Sequence, residues 1–403
     1  ASYAYFRTEL SGSDQIVKVG TLDLVLDETS EGISLDNAIG ISDSKGMSST
    51  PSTFELRNNG NKAVDYTIYL DDNTIGETDT RIDDKYLKYN LNKNGTDSGA
   101  TLLTRIGTNP NRVLDFGTIE GGETNKYSLN LWITDEVDGN YSGQVFSGKL
   151  RVEVSQERPT VSETLLANIP DENLYDDGID TFITGANPNN YIWYSGKLWR
   201  AVSINNTDKT VKLVTQWNIS TINYAQGNTA DFTGSYMEEW LNDTSVDGFL
   251  ENLRNPEKFI VMDAVWDATE DTSALGNITR PIGTTTVTNA VGLLNIYEYQ
   301  SSSGANPSSY TNSYLNNRLQ WWTITKYYGS NANYIRDDGV LSYRSVPAIY
   351  GVRPSINLKA NIKIVDGEGT MDNPYRLLGD NDTNLNGTLL NTRYSGEYIK
   401  DRV

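Results

Sequence analysis

Alternation of apolar and polar residues runs through the first third of the chain. Thr21-Leu22-Asp23-Leu24-Val25-Leu26 has the two-residue period of a strand with one buried face. Phe54-Glu55-Leu56-Arg57 and Val64-Asp65-Tyr66-Thr67-Ile68-Tyr69-Leu70 flank Asn58-Asn59-Gly60-Asn61, an arrangement that predicts a β-hairpin. Residues 71–99 read as a polar insertion with a short helix near 83–89. Leu114–Ile119, a Gly121-Gly122 turn and Lys126–Ile133 come next. A polar turn at 135–140 then precedes a last strand, Gly148–Val154. Short strands recurring at roughly ten-residue spacing predict a jelly roll or β-sandwich over residues 1–156.

The polar run Ser155-Gln156-Glu157-Arg158-Pro159-Thr160 marks a domain boundary, with a linker over 157–165. Beyond it, Tyr191-Ile192-Trp193-Tyr194, the turn Ser195-Gly196 and Leu198-Trp199-Arg200-Ala201-Val202 predict a second hairpin. Val211-Lys212-Leu213-Val214 adds a strand. At 235–253 the period changes: Met237, Trp240, Leu241, Phe249, Leu250 and Leu253 fit one face of a broken helix. A further short helix fits 292–299 or 314–319. Residues 166–380 therefore read as an α+β domain, and 381–403 as a tail with a strand at Tyr394–Lys400. The fold class is mainly β.

Composition narrows the function. The 403 residues include no Cys and no His. That removes Ser/His/Asp and Cys/His nucleophilic catalysis and His-ligated zinc, and an enzyme is not expected. A formal charge of −20 repels phosphate backbones and anionic lipid heads, so nucleic acid is not an expected partner. No segment reaches the roughly 20 apolar residues of a membrane helix. With no apolar leader at its start, the sequence reads as a mature, secreted form whose signal peptide has been removed.

Tyr3-Ala4-Tyr5-Phe6, followed by Gly20-Thr21-Leu22-Asp23-Leu24, resembles the TasA/camelysin family of secreted Gram-positive fibre proteins. Gly122-Glu123-Thr124, Leu131-Trp132 and Gly143 to Phe146 continue the pattern in order. The 71–99 segment departs from the simplest members and leaves the strand count open. In that family the N-terminal segment completes the sheet of the next subunit. The resemblance thus implies a head-to-tail homopolymer with Tyr3, Ala4, Tyr5 and Phe6 as the donated strand. Strand addition of this kind satisfies an open sheet edge.

Over 166–380, Trp321-Trp322-Thr323-Ile324-Thr325, Tyr334–Gly339, Gly351-Val352-Arg353-Pro354-Ser355-Ile356-Asn357-Leu358-Lys359 and Gly367-Glu368-Gly369-Thr370 to Asn373-Pro374-Tyr375 resemble an uncharacterised domain of Gram-positive surface proteins. It has a distant likeness to C-type-lectin-like and formylglycine-generating-enzyme folds. The enzymes of that group depend on cysteines, so the likeness implies a binding module.

Each sharp reading has a plainer one beside it. Trp321, Trp322, Tyr327 and Tyr334 could form a ligand surface for sugars, though aromatic residues more often pack cores. Neighbouring Trp residues on a strand face opposite ways, so one ring should be free if one face of the sheet is solvated. Asp337-Asp338-Gly339 and Asp366-Gly367-Glu368-Gly369 could seat Ca²⁺, or be ordinary turns. Glu238-Glu239 reads as the polar side of a helix, and Arg353 as a buried structural Arg paired with a carboxylate. Tyr394, Tyr398 and Ile399 could supply a second strand between subunits. The sequence is therefore read as a subunit of an extracellular filament (a pilus or biofilm-matrix fibre). The alternative is a monomeric cell-surface adhesin whose second domain binds glycan or protein.

Overall fold

The computed structural model describes residues 6–8, 15–19, 22–28, 33–36, 38–136, 141, 143–245, 247–273, 279–305 and 311–380. No described helix is long and apolar enough to cross a membrane. The chain is mainly β and divides into two compact units, one of residues 1–158 with 378–380 and one of 159–377. The division falls inside the segment read as a linker. Its second half is ordered secondary structure: Val161–Asn168 is a helix, closed at its start by a Thr160/Glu163 capping box, which satisfies two of its otherwise unpaired N–H groups.

The first unit is a sandwich of two antiparallel sheets. Its strands are β1 (Phe6–Thr8), β2 (Gln15–Val19), β3 (Leu22–Glu28), β4 (Ile33–Leu35), β5 (Ser52–Asn58) and β6 (Val64–Asp72). They continue with β7 (Leu87–Lys93), β8 (Thr96–Asp97), β9 (Thr101–Leu102), β10 (Val113–Ile119), β11 (Thr124–Ile133) and β12 (Phe146–Gln156). One sheet runs β1-β12-β6-β10, with β4 also on β12; the other runs β2-β3-β5-β11-β7-β8, with β9 on β7. Leu24, Phe54, Leu56 and Leu129 of one sheet share a core with Ile68, Leu70, Leu114 and Val152 of the other.

Two expectations are corrected here. β5 and β6 do not form a hairpin; they belong to opposite sheets. The Asn58–Asn61 cluster carries the chain across the sandwich. Asn58 Nδ2 donates to Lys62 O (2.8 Å) and to Ile119 O (3.1 Å), tying this crossing to the neighbouring β10–β11 crossing. Nor is 71–99 only a polar insertion. It contains β7, paired with β11 from Leu87 to Lys93, with Leu87, Tyr89 and Leu91 in the core. The predicted helix at 83–89 is one 3₁₀ turn, Asp84–Tyr86.

The second unit has two larger sheets and short helices. One sheet runs Leu174–Asp176, Asp180–Ile183, Lys197–Asn205, Tyr191–Tyr194, Tyr375–Leu377, Ile364–Asp366. Val211–Thr215 pairs with Lys197–Asn205 and with Ser355–Leu358. The other runs Ser220–Asn223, Ile349–Val352, Trp321–Tyr328, Asn331–Ile335, Leu341–Ser345. The predicted hairpin at Ser195-Gly196 is present, with Tyr191–Tyr194 paired to Lys197–Asn205. Both turn residues have positive φ (+55° and +69°), which fits the right-handed twist of the strands. Helices cover Tyr236–Asn242 and Ile296–Ser301, near the positions their periodicity predicts.

At Gly351-Val352-Arg353-Pro354 the chain leaves one sheet and enters the other, as it does between Thr215 and Ser220. This seam explains the motif. A Cβ on Gly351 would lie 1.8 Å from Asn218 Nδ2 and 2.5 Å from Gln320 O. Thr215 N–H donates to Pro354 O (3.1 Å) and Ile219 N–H to Val352 O (3.0 Å).

Candidate functional site

β12 is the organising strand of the first unit. One edge is paired with β6 from Gly148 through Gln156. The other edge is shared by two three-residue strands. β4 covers Phe146–Gly148, and β1 covers Val152–Val154 in the register Phe6↔Val154, Arg7↔Glu153, Thr8↔Val152. Among the described residues no strand pairs with this edge at Lys149, Leu150 or Arg151.

The outward side chains along β12 are fixed by charge pairing. Arg151 Nε donates to Asp71 Oδ2 (2.6 Å), Nη1 to Glu153 Oε1 (2.6 Å) and Nη2 to Pro110 O (2.7 Å). Its guanidinium lies 3.9 Å from the centre of the Tyr69 ring. Burial lowers the Arg151 pKa, but the hydrogen bond and charge of Asp71 outweigh it and hold the value above the ordinary one.

Behind β6 and β10 a second cluster joins the sheets. Tyr66 and Tyr127 both donate to Asp115 Oδ2 at 2.7 Å, and Lys93 Nζ stands 3.0 Å from the same oxygen. Burial first, and then the charge of Asp115, push both tyrosines far above the ordinary phenol value. They remain neutral donors. The arrangement binds two sheets together.

Of the proposed donor residues, Phe6 opens β1, while Tyr3, Ala4 and Tyr5 lie outside the described residues. Tyr394, Tyr398 and Ile399 lie outside them as well. The ligand surface expected at Trp321, Trp322, Tyr327 and Tyr334 does not form as read. Trp321 and Trp322 are both fully buried, because both faces of their sheet are covered. Trp321 packs edge-on against Tyr299 (5.5 Å), and Trp322 against Tyr224 (5.5 Å) and Tyr350 (5.1 Å). Tyr334 is buried and stacked on Tyr350 (4.4 Å), and half-buried Tyr327 is stacked on Tyr343 (3.9 Å).

The acidic turns read for Ca²⁺ hold cations of the chain itself. Asp338 pairs with Arg336 (2.7 Å), and Asp366 accepts from Arg376 Nε (2.6 Å). Among the described residues no three carboxylates gather as a metal site would require. Glu238 accepts from Gly234 N–H (2.6 Å) and from Asn289 Nδ2 (2.8 Å), a local structural role at the start of its helix. Arg353 departs from expectation: among the described residues no carboxylate meets it, and its partners are backbone carbonyls. Sequence reasoning also missed Arg200, whose place beside Trp199 in a hairpin strand gave no hint that its charge would be buried. No family model, curated protein or solved structure compared with this chain matches it.

Proposed function

We propose that the chain is a structural subunit of a secreted, extracellular filament, and that copies join by exchanging β1. The observation that carries this reading is the outer edge of β12. A three-residue strand, β1, covers part of that edge, and its backbone pairing with Val152–Val154 is the same whether it comes from its own chain or a copy. Exchange of an identical element between copies needs no new interface. When the contact runs head to tail it propagates instead of closing. The resemblance of residues 1–156 to fibre proteins points the same way, as does the absence of His and Cys chemistry. Deleting residues 1–8 tests the reading by electron microscopy. Filaments should disappear while the remaining chain stays folded; filaments of normal length and yield would refute it.

A further inference from the structure

The second unit buries two guanidinium groups that no carboxylate of the described residues meets. Arg200 is 2% exposed. Its Nε donates to Asn190 Oδ1 (2.7 Å), Nη1 to Gln216 Oε1 (3.3 Å) and Nη2 to Pro188 O (3.2 Å). The group lies 3.6 Å from the Tyr191 ring centre and 4.7 Å from that of Tyr314. Arg353 is fully buried. Its Nε donates to Thr215 O (2.9 Å) and Nη1 to Leu315 O (2.6 Å), and it stands 4.7 Å from the Trp321 ring centre. Its Nη2 has no hydrogen-bond partner among the described residues.

Every described acceptor on the two groups is neutral. Burial draws the pKa of Arg200 down to about 10. Burial, with repulsion from Arg200 adding to it, draws Arg353 to about 9. Both stay cationic at neutral pH. Desolvated charge without a counter-charge is costly, and ring faces and neutral oxygens offset it only in part. Acids are not scarce in this unit: Arg280 binds Asp177 through Nε (2.8 Å) and Asp180 through Nη2 (2.8 Å).

Arg200 forms part of the wall of a cavity of about 520 Å³, a volume within the range of small-ligand sites. Tyr191, Tyr314 and Trp217 also line it, with Asn312 and Arg318 nearer solvent. Among the described residues no Asp or Glu lines it, in a chain of formal charge −20. Thr215 and Leu315, which hold Arg353, are the chain neighbours of Gln216 and Tyr314 in the wall. Arg318 has a left-handed backbone (φ +62°), an uncommon state for a long side chain. Asn316 Oδ1 holds it there by accepting its N–H (3.1 Å), and Asn317 Nδ2 ties the same loop to Gln216 O (3.2 Å).

Arg200 adds a hydrogen bond to Tyr191 to its three others and contributes charge at the wall, while the exposed Arg318 offers a planar fork suited to a carboxylate. Ring faces beside amide side chains suit a sugar ring and its hydroxyls. We infer that this cavity binds a carboxylated sugar, its carboxylate on Arg200 and Arg318 and its ring against Tyr191, Tyr314 and Trp217. The inference concerns the second unit alone and does not depend on polymerisation.

Calorimetric titration of the full chain with sodium D-glucuronate, D-glucose, inorganic phosphate and the dipeptide Ala-Ala tests it. Glucuronate should bind at least tenfold tighter than each of the other three. Arg200→Lys, which keeps the charge but loses the fork, should weaken glucuronate binding tenfold or more. Arg318→Gln, on an exposed side chain that cannot unfold the core, should weaken it at least threefold. Deleting residues 1–8 should leave binding unchanged, which separates this inference from the filament reading. Equal binding of glucose, tighter binding of phosphate or Ala-Ala, or unaltered affinity in Arg318→Gln would overturn it.

Discussion

Buried Arg112 and Arg151 of the first unit are paired with acids, whereas among the described residues buried Arg200 and Arg353 of the second are not. In the first, Arg112 donates to Asp72 and Asp84, and Arg151 to Asp71 and Glu153. Asp115 is met by Lys93 and two tyrosine hydroxyls. In the second, Arg200 and Arg353 are held by amide and carbonyl oxygens and by aromatic faces. A matched cluster stabilises its fold and has little left to offer a ligand. Unmatched cations beside a cavity attract an anion from outside. On this difference rests the inference that the cavity beside Arg200 takes an anion.

The largest effect should come from breaking a matched cluster. Asp115→Ala takes from Lys93 and two buried hydroxyls the carboxylate they share and should cost the first unit about 3–5 kcal/mol. The shift of that unit's transition in a urea titration of the full chain measures it. Arg353→Met should cost the second unit only about 1 kcal/mol. Loss of two bonds to carbonyls is largely offset by removal of an unpaired buried charge. A loss as large as that of Asp115→Ala would show that Arg353 is matched after all.

The smallest effect is a slope. Tyr66 and Tyr127 titrate far higher in the folded chain than in the unfolded one, so the unfolded chain loses these protons first. Their stabilising contribution is complete below pH ~10, the unfolded tyrosine value, and falls as pH rises above it. Each contributes a slope of about 1.4 kcal/mol per pH unit. Tyr127→Phe should remove one such share of the alkaline slope, as read from unfolding midpoints taken between neutral pH and pH 11.

What was legible in the sequence were the features that depend on near neighbours. Ser195-Gly196 sets its own positive φ values, so the hairpin was readable. Met237, Trp240 and Leu241 are buried on one side of a helix that begins at a Ser235 cap. The Asn58–Asn61 cluster misled because a sheet-to-sheet crossing uses the same turn residues as a hairpin; only the distant Ile119 carbonyl distinguishes them. Trp321 and Trp322 are both buried because Tyr299 covers one face of the sheet and Tyr224 and Tyr350 the other. The cavity was least legible. Arg200, Tyr314 and Arg353 are far apart in sequence, and what distinguishes two of them, the lack of an acid, has no sequence signature.

The exchange of β1 between copies is tested most directly by its register. The chain has no cysteine, so Phe6→Cys combined with Val154→Cys places one thiol on each member of a paired position. After assembly and oxidation, denaturing electrophoresis should show a ladder of covalent oligomers that reducing agent collapses to monomer. A single oxidised monomer band, with the bond closed inside each chain, would contradict the filament account.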